Sequence, residues 1–398
     1  MSRKFIFFCV FLTSGSLILL LVNSLADMQI IANIWLKICL FMGLAGILLG
    51  IDLRIFLDES RANSIISKLI VLSITILILL VMSEVAVRIA FRGITTTADD
   101  TSYFALRWNW FNVRFNKLQF REREFDIAKA DSIYRIAIIG DSFAYGQGIP
   151  IAERFSNLIG TYLEAKRCSV ACEVLNFGRS GAETVDHLEI LNSIVLKTRP
   201  DFVLLQWFVN DVEGHDKSGR PGSMTLAPSD ELHAKLQSAS ALYFLVSLQW
   251  YALQEALGWA GSYSDYISRR FSDPQCLDSQ ESNRALKQFI QSCQDNDIRM
   301  GIVLFPDVVG DLNANYPFAF LHERVIAICD EESTLYVDLR DPFSKEKEYR
   351  KLWVNQFDRH PSSLANRLAA DCIIEKFKSI WLAGAGCADG DLASDVTE

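Results

Sequence analysis

At 398 residues, with half of them hydrophobic and a formal net charge of −9, the chain carries more apolar material than one soluble domain needs. The excess sits almost wholly before residue 92, the profile of membrane spans followed by a soluble domain. The negative charge, with no stripe of Lys and Arg interleaved with aromatics, argues against nucleic acid as a partner, because phosphate neutralisation needs clustered cations. Glycan, lipid and small-ester partners stay open.

Three apolar stretches come first, at residues 5–22, 30–51 and 69–91. Each is close to the ~20 residues that a helix needs to cross the hydrocarbon of a bilayer. Arg3 and Lys4 precede the first, and Arg54, Arg61 and Lys68 lie between the second and third, whereas the linker Ser24–Gln29 has neither Lys nor Arg. The positive-inside rule therefore puts the N-terminus and the 52–68 linker in the cytoplasm, and three crossings deliver everything after Phe91 to the other side. A rival reading makes the first stretch a cleaved signal peptide, with Ser24 and Ala26 before the cut; the C-terminal domain still ends up outside. Glu84 and Arg88, one turn apart near the outer end of the third span, read as a self-paired interfacial anchor, with a membrane partner as the alternative.

Residues 92–133 read as a polar juxtamembrane segment whose Trp108, Trp110 and Phe111 suit an interface. From 134 onwards strand-like and helix-like runs alternate. Strands are expected at 134–139, 173–177, 202–208, 300–305 and 335–339, and helices at 153–166, 184–197, 282–295, 318–329 and 362–381. That alternation predicts an α/β domain over 134–383 with a mostly parallel sheet, whose ligands bind beyond the carboxyl ends of the strands. Residues 212–280 break the rhythm with a Gly/Pro/Ser-rich loop and the apolar stretch Ala239–Trp259, and read as a helical cap inserted over the rim. The small, acidic residues 384–398 read as a disordered tail.

Nine cysteines give a mixed signal. Cys9 and Cys39 lie in apolar stretches, and the seven that follow are an odd number, so at least one is unpaired or joins another chain. Cys168 with Cys172, and Cys276 with Cys293, are candidate pairs; neither has the spacing of a metal site, and no metal or organic cofactor is expected.

The chemistry begins at IAIIGDSFAYGQG, where Ser142 follows an apolar strand and can open the next helix, among backbone amides that suit a developing oxyanion. One Gly-Asp-Ser turn is a weak signal. Further on stand NFGRSGAET, WFVNDV and, near the end, FDRHPSSLANRLAAD, in which Asp358, His360 and Pro361 are expected to open the last helix. Together these blocks resemble, in order, the four motifs of the SGNH (GDSL-type) hydrolase family, over roughly residues 134–382. The resemblance implies a flavodoxin-like three-layer α/β/α fold and esterase, lipase or acyltransferase chemistry. It makes Ser142 the nucleophile, His360 the base and Asp358 the acid that orients it, with the amides of Ser142 and Gly178 and the side chain of Asn210 as the oxyanion hole. Two positions depart from the family pattern: Phe208 stands where the third block commonly has glycine, and Phe357 where the last block usually has its acid. Asp141 is expected to organise the turn, and His187, His215, His233 and His322 to be surface or structural histidines.

The expectation is an extracytoplasmic enzyme of a bacterial-type inner membrane that removes or transfers a short acyl group, most simply acetyl, on a glycan. Arg179, Glu183, Asp211 and His215 are expected to meet sugar hydroxyls, and a membrane acyltransferase is a possible partner. The alternatives are a membrane-facing lipase or thioesterase, for which the apolar 239–259 stretch could line an acyl channel, and a non-catalytic module that grips glycans or a partner.

Overall fold

The computed structural model describes residues 59–97, 101–213, 225–273, 275–310, 312 and 315–387. The apolar stretches at 5–22 and 30–51, and His215, lie outside these residues. The described residues form two compact units, one drawn from 59–94, 101–104 and 225–253, the other from the remainder.

In the first unit, helix α1 runs over Glu59–Ala90. Its segment Ser64–Ala90, 27 residues with exposed side chains, is the one helix among the described residues long and apolar enough to cross a membrane. It begins before the expected residue 69, because a helix does not stop where its apolar run stops: the polar residues before Lys68 continue the same hydrogen-bonded ladder. Helix α2 is Tyr103–Asn112, and its first two residues belong to this unit. Glu84 and Arg88 are paired at 2.6 Å, as read from their spacing, and they do more. The Glu84 carboxylate accepts from Ser240 Oγ at 2.7 Å and from the backbone N–H groups of Ala241 and Leu242 at 3.0 and 2.9 Å. Arg88 donates to the Ala239 carbonyl at 3.1 Å and lies over the Tyr103 ring. The pair thereby satisfies the free backbone groups where one helix of the insertion ends and the next begins.

The second unit is built on five parallel strands: β1 (Ile133–Gly140), β2 (Ala171–Gly178), β3 (Phe202–Trp207), β4 (Arg299–Leu304) and β5 (Leu335–Asp338), in the order β2-β1-β3-β4-β5. This is the flavodoxin-like order, with its switch point between β1 and β3. β1 and β3 are apolar on both faces because both are covered. Ala137, Ile139, Val203 and Leu205 pack into one core with Leu286, Phe289 and Val325. Ile136, Ile138 and Leu204 pack into the other with Ile159, Ile373 and Trp381. Helices α3 (Ser142–Tyr145), α4 (Phe155–Glu164) and α5 (Thr184–Ile190) follow β1 and β2. Helices α6 (Asp230–Ala239) and, for most of its length, α7 (Ala241–Ala256) belong to the first unit, and α8 (Tyr263–Phe271) to the second. After it come α9 (Leu277–Asp295), α10 (Ala319–Glu331), α11 (Arg340–Ser344) and α12 (Ser363–Gly384).

Three expectations are corrected. Residues 105–133 are part of the second unit instead of a juxtamembrane segment: Trp108 is buried, and Arg121 donates to the carbonyls of Tyr145, Gly146 and Ile149 just after the Ser142 turn. Cys168 pairs with Cys387, 219 residues away, where the two form an antiparallel bridge beside β2; Cys172, Cys276 and Cys293 are free. The tail therefore does not begin at 384, since α12 reaches Gly384 and Cys387 is fixed by that disulfide.

Candidate active site

The turn at Ser142 is assembled by neighbours on both sides. Ser142 is the first residue of α3, directly after β1, and Asp141 Oδ1 accepts the Phe143 N–H at 2.8 Å. Gln206, the one polar side chain of β3, sends Oε1 to the N–H groups of Asp141 and Ala144 at 3.0 and 3.2 Å. A Cβ at Gly140 would stand 2.3 Å from that oxygen, so the close approach of β1 and β3 requires glycine there.

His360 arrives from the far end of the chain. Trp353–Asn355 and Asp358–Pro361 form an antiparallel pair, β6 and β7, so Asp358 and His360 lie on a strand and not at the start of the last helix. That helix starts at Ser363, with Ser362 Oγ capping it. In a strand, residues two apart share a face. The separation of two between acid and histidine is thus what a strand needs for both to converge. His360 Nδ1 lies 2.5 Å from Asp358 Oδ1, and His360 Nε2 lies 2.8 Å from Ser142 Oγ. With its Nδ1–H held by the carboxylate, the imidazole presents a lone pair at Nε2 to the hydroxyl, the tautomer that can take its proton. Thr96 Oγ1 donates to the other carboxylate oxygen, Asp358 Oδ2.

The charges are arranged around this relay. Burial pulls His360 towards the neutral form, but the Asp358 carboxylate outweighs it, with Asp141 and Asp307 adding, and the net shift is upward. Burial pushes Asp358 up, yet His360 and the Thr96 hydroxyl hold it below its ordinary value. Asp141 is raised to about 6 by burial and by Asp211, against the Phe143 N–H, His187 and His360. Asp307 is raised to about 6 by burial, against Arg359 and His360.

The remaining expected residues fall out unevenly. Asn210 sits in a short 3-10 turn, Val209–Val212, just beyond β3, and its Oδ1 is buried with no partner among the described residues. Gly178 ends β2 opposite Gly140, but its N–H donates to Asn176 Oδ1 at 2.8 Å, so it is not a free oxyanion donor. Three residues on, the exposed Gly181 N–H meets no acceptor among the described residues. The sequence expectation named Gly178 alone, and the Asn176 side chain stands against it. Asp211 and Glu183 are buried and do not face sugar hydroxyls: Asp211 stands 2.9 Å from His187, and Glu183 caps α5. Arg179 is exposed, with its guanidinium over the Phe120 ring. His187 and His322 are buried beside Asp211 and Asp338, as structural histidines are, and the Phe208 ring lies tilted against that of Phe143 at 4.1 Å.

Sequence reasoning missed Thr96, Gln206 and Asn176. For Gln206 a signal existed, since it is the one polar residue inside an otherwise apolar strand. Among the described residues no group of three or more His, Cys, Asp or Glu is placed to hold a metal ion.

No family model and no curated protein matches the chain. Solved structures do resemble it. A catalytic mutant of Axe2, an acetylxylan esterase from Geobacillus stearothermophilus, is 15% identical over 63% of this chain and 96% of its own, with a TM-score of 0.39. A member of the lipolytic protein G-D-S-L family from Veillonella parvula is 14% identical over 62% and 98%, with a TM-score of 0.38. LAE5, an alpha/beta hydrolase enzyme from the metagenome of Lake Arreo, is 14% identical over 62% and 95%, also with a TM-score of 0.38. At such values the likeness carries no argument about activity, which rests on the side chains described above.

Proposed function

We propose that the chain is a serine esterase or O-acyltransferase of the SGNH type, with Ser142 as nucleophile, His360 as general base and Asp358 as the orienting acid. The observation that carries this reading is the unbroken line Ser142 Oγ–His360 Nε2, His360 Nδ1–Asp358 Oδ1, at 2.8 and 2.5 Å. Ser142 attacks the ester carbonyl as His360 takes its proton. The oxyanion rests on the amide of Ser142, the Asn210 side chain and, in place of Gly178, the amide of Gly181. The protonated His360 then hands its proton to the departing alcohol, leaving an acyl-enzyme that water or a sugar hydroxyl resolves.

The domain works outside the cytoplasm, anchored by α1. The Lys and Arg distribution around the apolar stretches supports that side, and so does the Cys168–Cys387 disulfide, since such bonds persist in oxidising compartments. The substrate is a short-chain, most simply acetyl, ester on a glycan. In support, Arg179, Ser180 and Gly181 give an exposed polar edge, and the Phe143 ring lies between the His360 ring, in an edge contact at 5.4 Å, and the Phe208 ring, tilted against it at 4.1 Å. Activity against p-nitrophenyl acetate, octanoate and palmitate tests it: kcat/KM should fall as the acyl chain lengthens. A rise with chain length would favour the second reading, a membrane-facing lipase or thioesterase, for which α7 with exposed Val246 and Leu253 is the supporting observation.

A further inference from the structure

The acid of the relay has a second attachment, and it comes from outside the motifs. Asp358 Oδ1 accepts from the backbone N–H of His360 at 3.0 Å and from its ring at 2.5 Å, which leaves Oδ2. That oxygen accepts the hydroxyl of Thr96, 262 residues away in sequence and six beyond the end of α1. Thr96 is 1% exposed, so the contact is shielded from bulk solvent. Its own position is fixed at both ends of a short strap. Asn355 Nδ2 donates to the Thr96 carbonyl at 2.9 Å, and Gln147 Nε2 to the Thr97 carbonyl at 3.2 Å. Gly148 makes room for it, for a Cβ there would stand 2.4 Å from Thr96 Oγ1.

We propose that Thr96 is a positioning residue of the reaction, holding the Asp358 carboxylate in the rotamer that orients His360 toward Ser142. The proposal rests on the serine-hydrolase reading and deepens it. A carboxylate that kept only its contacts with His360 could turn about its own side-chain bonds and still satisfy one oxygen. The hydroxyl on Oδ2 removes that freedom and, as a donor, lowers the basicity of the carboxylate. Without it the carboxylate becomes more basic and holds the imidazolium proton more tightly, while the imidazole is less well aimed. The other charged groups that act on His360, Asp141 and Asp307, do not depend on Thr96 for a hydrogen bond.

The test uses the full-length protein, with kcat, KM and the pH profile on p-nitrophenyl acetate, and with labelling of Ser142 by a fluorophosphonate. Thr96→Val keeps the shape and removes the donor. It should lower kcat by about tenfold, the usual effect of orphaning one buried acceptor, with KM within about twofold. The acid limb of its profile should move to higher pH. Thr96→Ser retains the hydroxyl and should restore both kcat and the limb. Wild-type kcat in Thr96→Val, or Thr96→Ser as impaired as Thr96→Val, overturns the proposal, the second result meaning that the hydroxyl by itself does not account for the loss. If Thr96→Val does not fold, Thr96→Ser decides alone: wild-type kcat supports the role and a lost kcat in a folded protein refutes it. Wild-type protein that is not labelled at Ser142 overturns the hydrolase reading itself; labelling with a silent Thr96→Val overturns only the role of Thr96.

Discussion

Asp358 and His360 stand two residues apart on one short strand, and Asp358 Oδ1 reaches His360 Nδ1 at 2.5 Å. The pairing does not need the acid three residues before the histidine, where this chain has Phe357. An extended backbone turns alternate side chains to one face, so a separation of two delivers the same contact by a different local structure.

The pair fixes the pH dependence. His360 must be neutral to act as base, and its pKa is raised, with Asp358 overcoming the effect of burial. Activity should therefore rise with pH through a limb above the ordinary histidine value of about 6.5. Asp358→Asn removes the raising charge and leaves burial, so the limb should move to lower pH while kcat falls by up to about 10⁴-fold. A kcat/KM profile of both proteins checks this. A limb that stays in place in Asp358→Asn would mean that another group titrates.

Asn210 follows β3 as Ser142 follows β1, and β1 and β3 are adjacent, with Ile139 opposite Leu205. Its side chain is expected to donate to the oxyanion. Asn210→Ala should reduce kcat by about 10²–10³-fold with KM changed far less, the signature of an interaction made in the transition state. Steady-state kinetics with kcat unchanged would remove Asn210 from the site.

The disulfide ties the end of α12 to the approach to β2 across 219 residues of chain. Closing a loop of that size removes unfolded-state entropy worth about 5 kcal/mol on the chain-entropy account. Cys387→Ser should lower the Tm by about 10 °C or more, and Cys172→Ser, which removes no bond, should leave it near wild type. Equal effects of the two substitutions on thermal unfolding would contradict the pairing.

Much of this was legible because it is local. Mainly apolar runs ended where strands end, within two residues for β1 to β5, since the central strands, covered on both faces, are largely apolar. Ser142, Asn210 and His360 announced themselves by the residues around them. What was not legible is what depends on distant chain. Thr96 reaches Asp358 across 262 residues, and Cys387 reaches Cys168 across 219, and neither separation leaves a periodic trace. The β6–β7 pair was misread as a helix start because Pro361 and Ser362 signal one so strongly, and the real cap lies only two residues beyond His360. The expectation for Gly178 fails because Asn176 turns its side chain back onto the Gly178 amide, a contact the sequence does not announce.

The central claim is that Ser142 is a nucleophile activated by His360. The most direct test is labelling of the full-length protein with a fluorophosphonate probe, with the modified residue located by mass spectrometry. The account predicts a single modified serine, Ser142, whose labelling is abolished in Ser142→Ala and strongly slowed in folded His360→Ala. Labelling that survives Ser142→Ala, or that proceeds at the wild-type rate in His360→Ala, would contradict it.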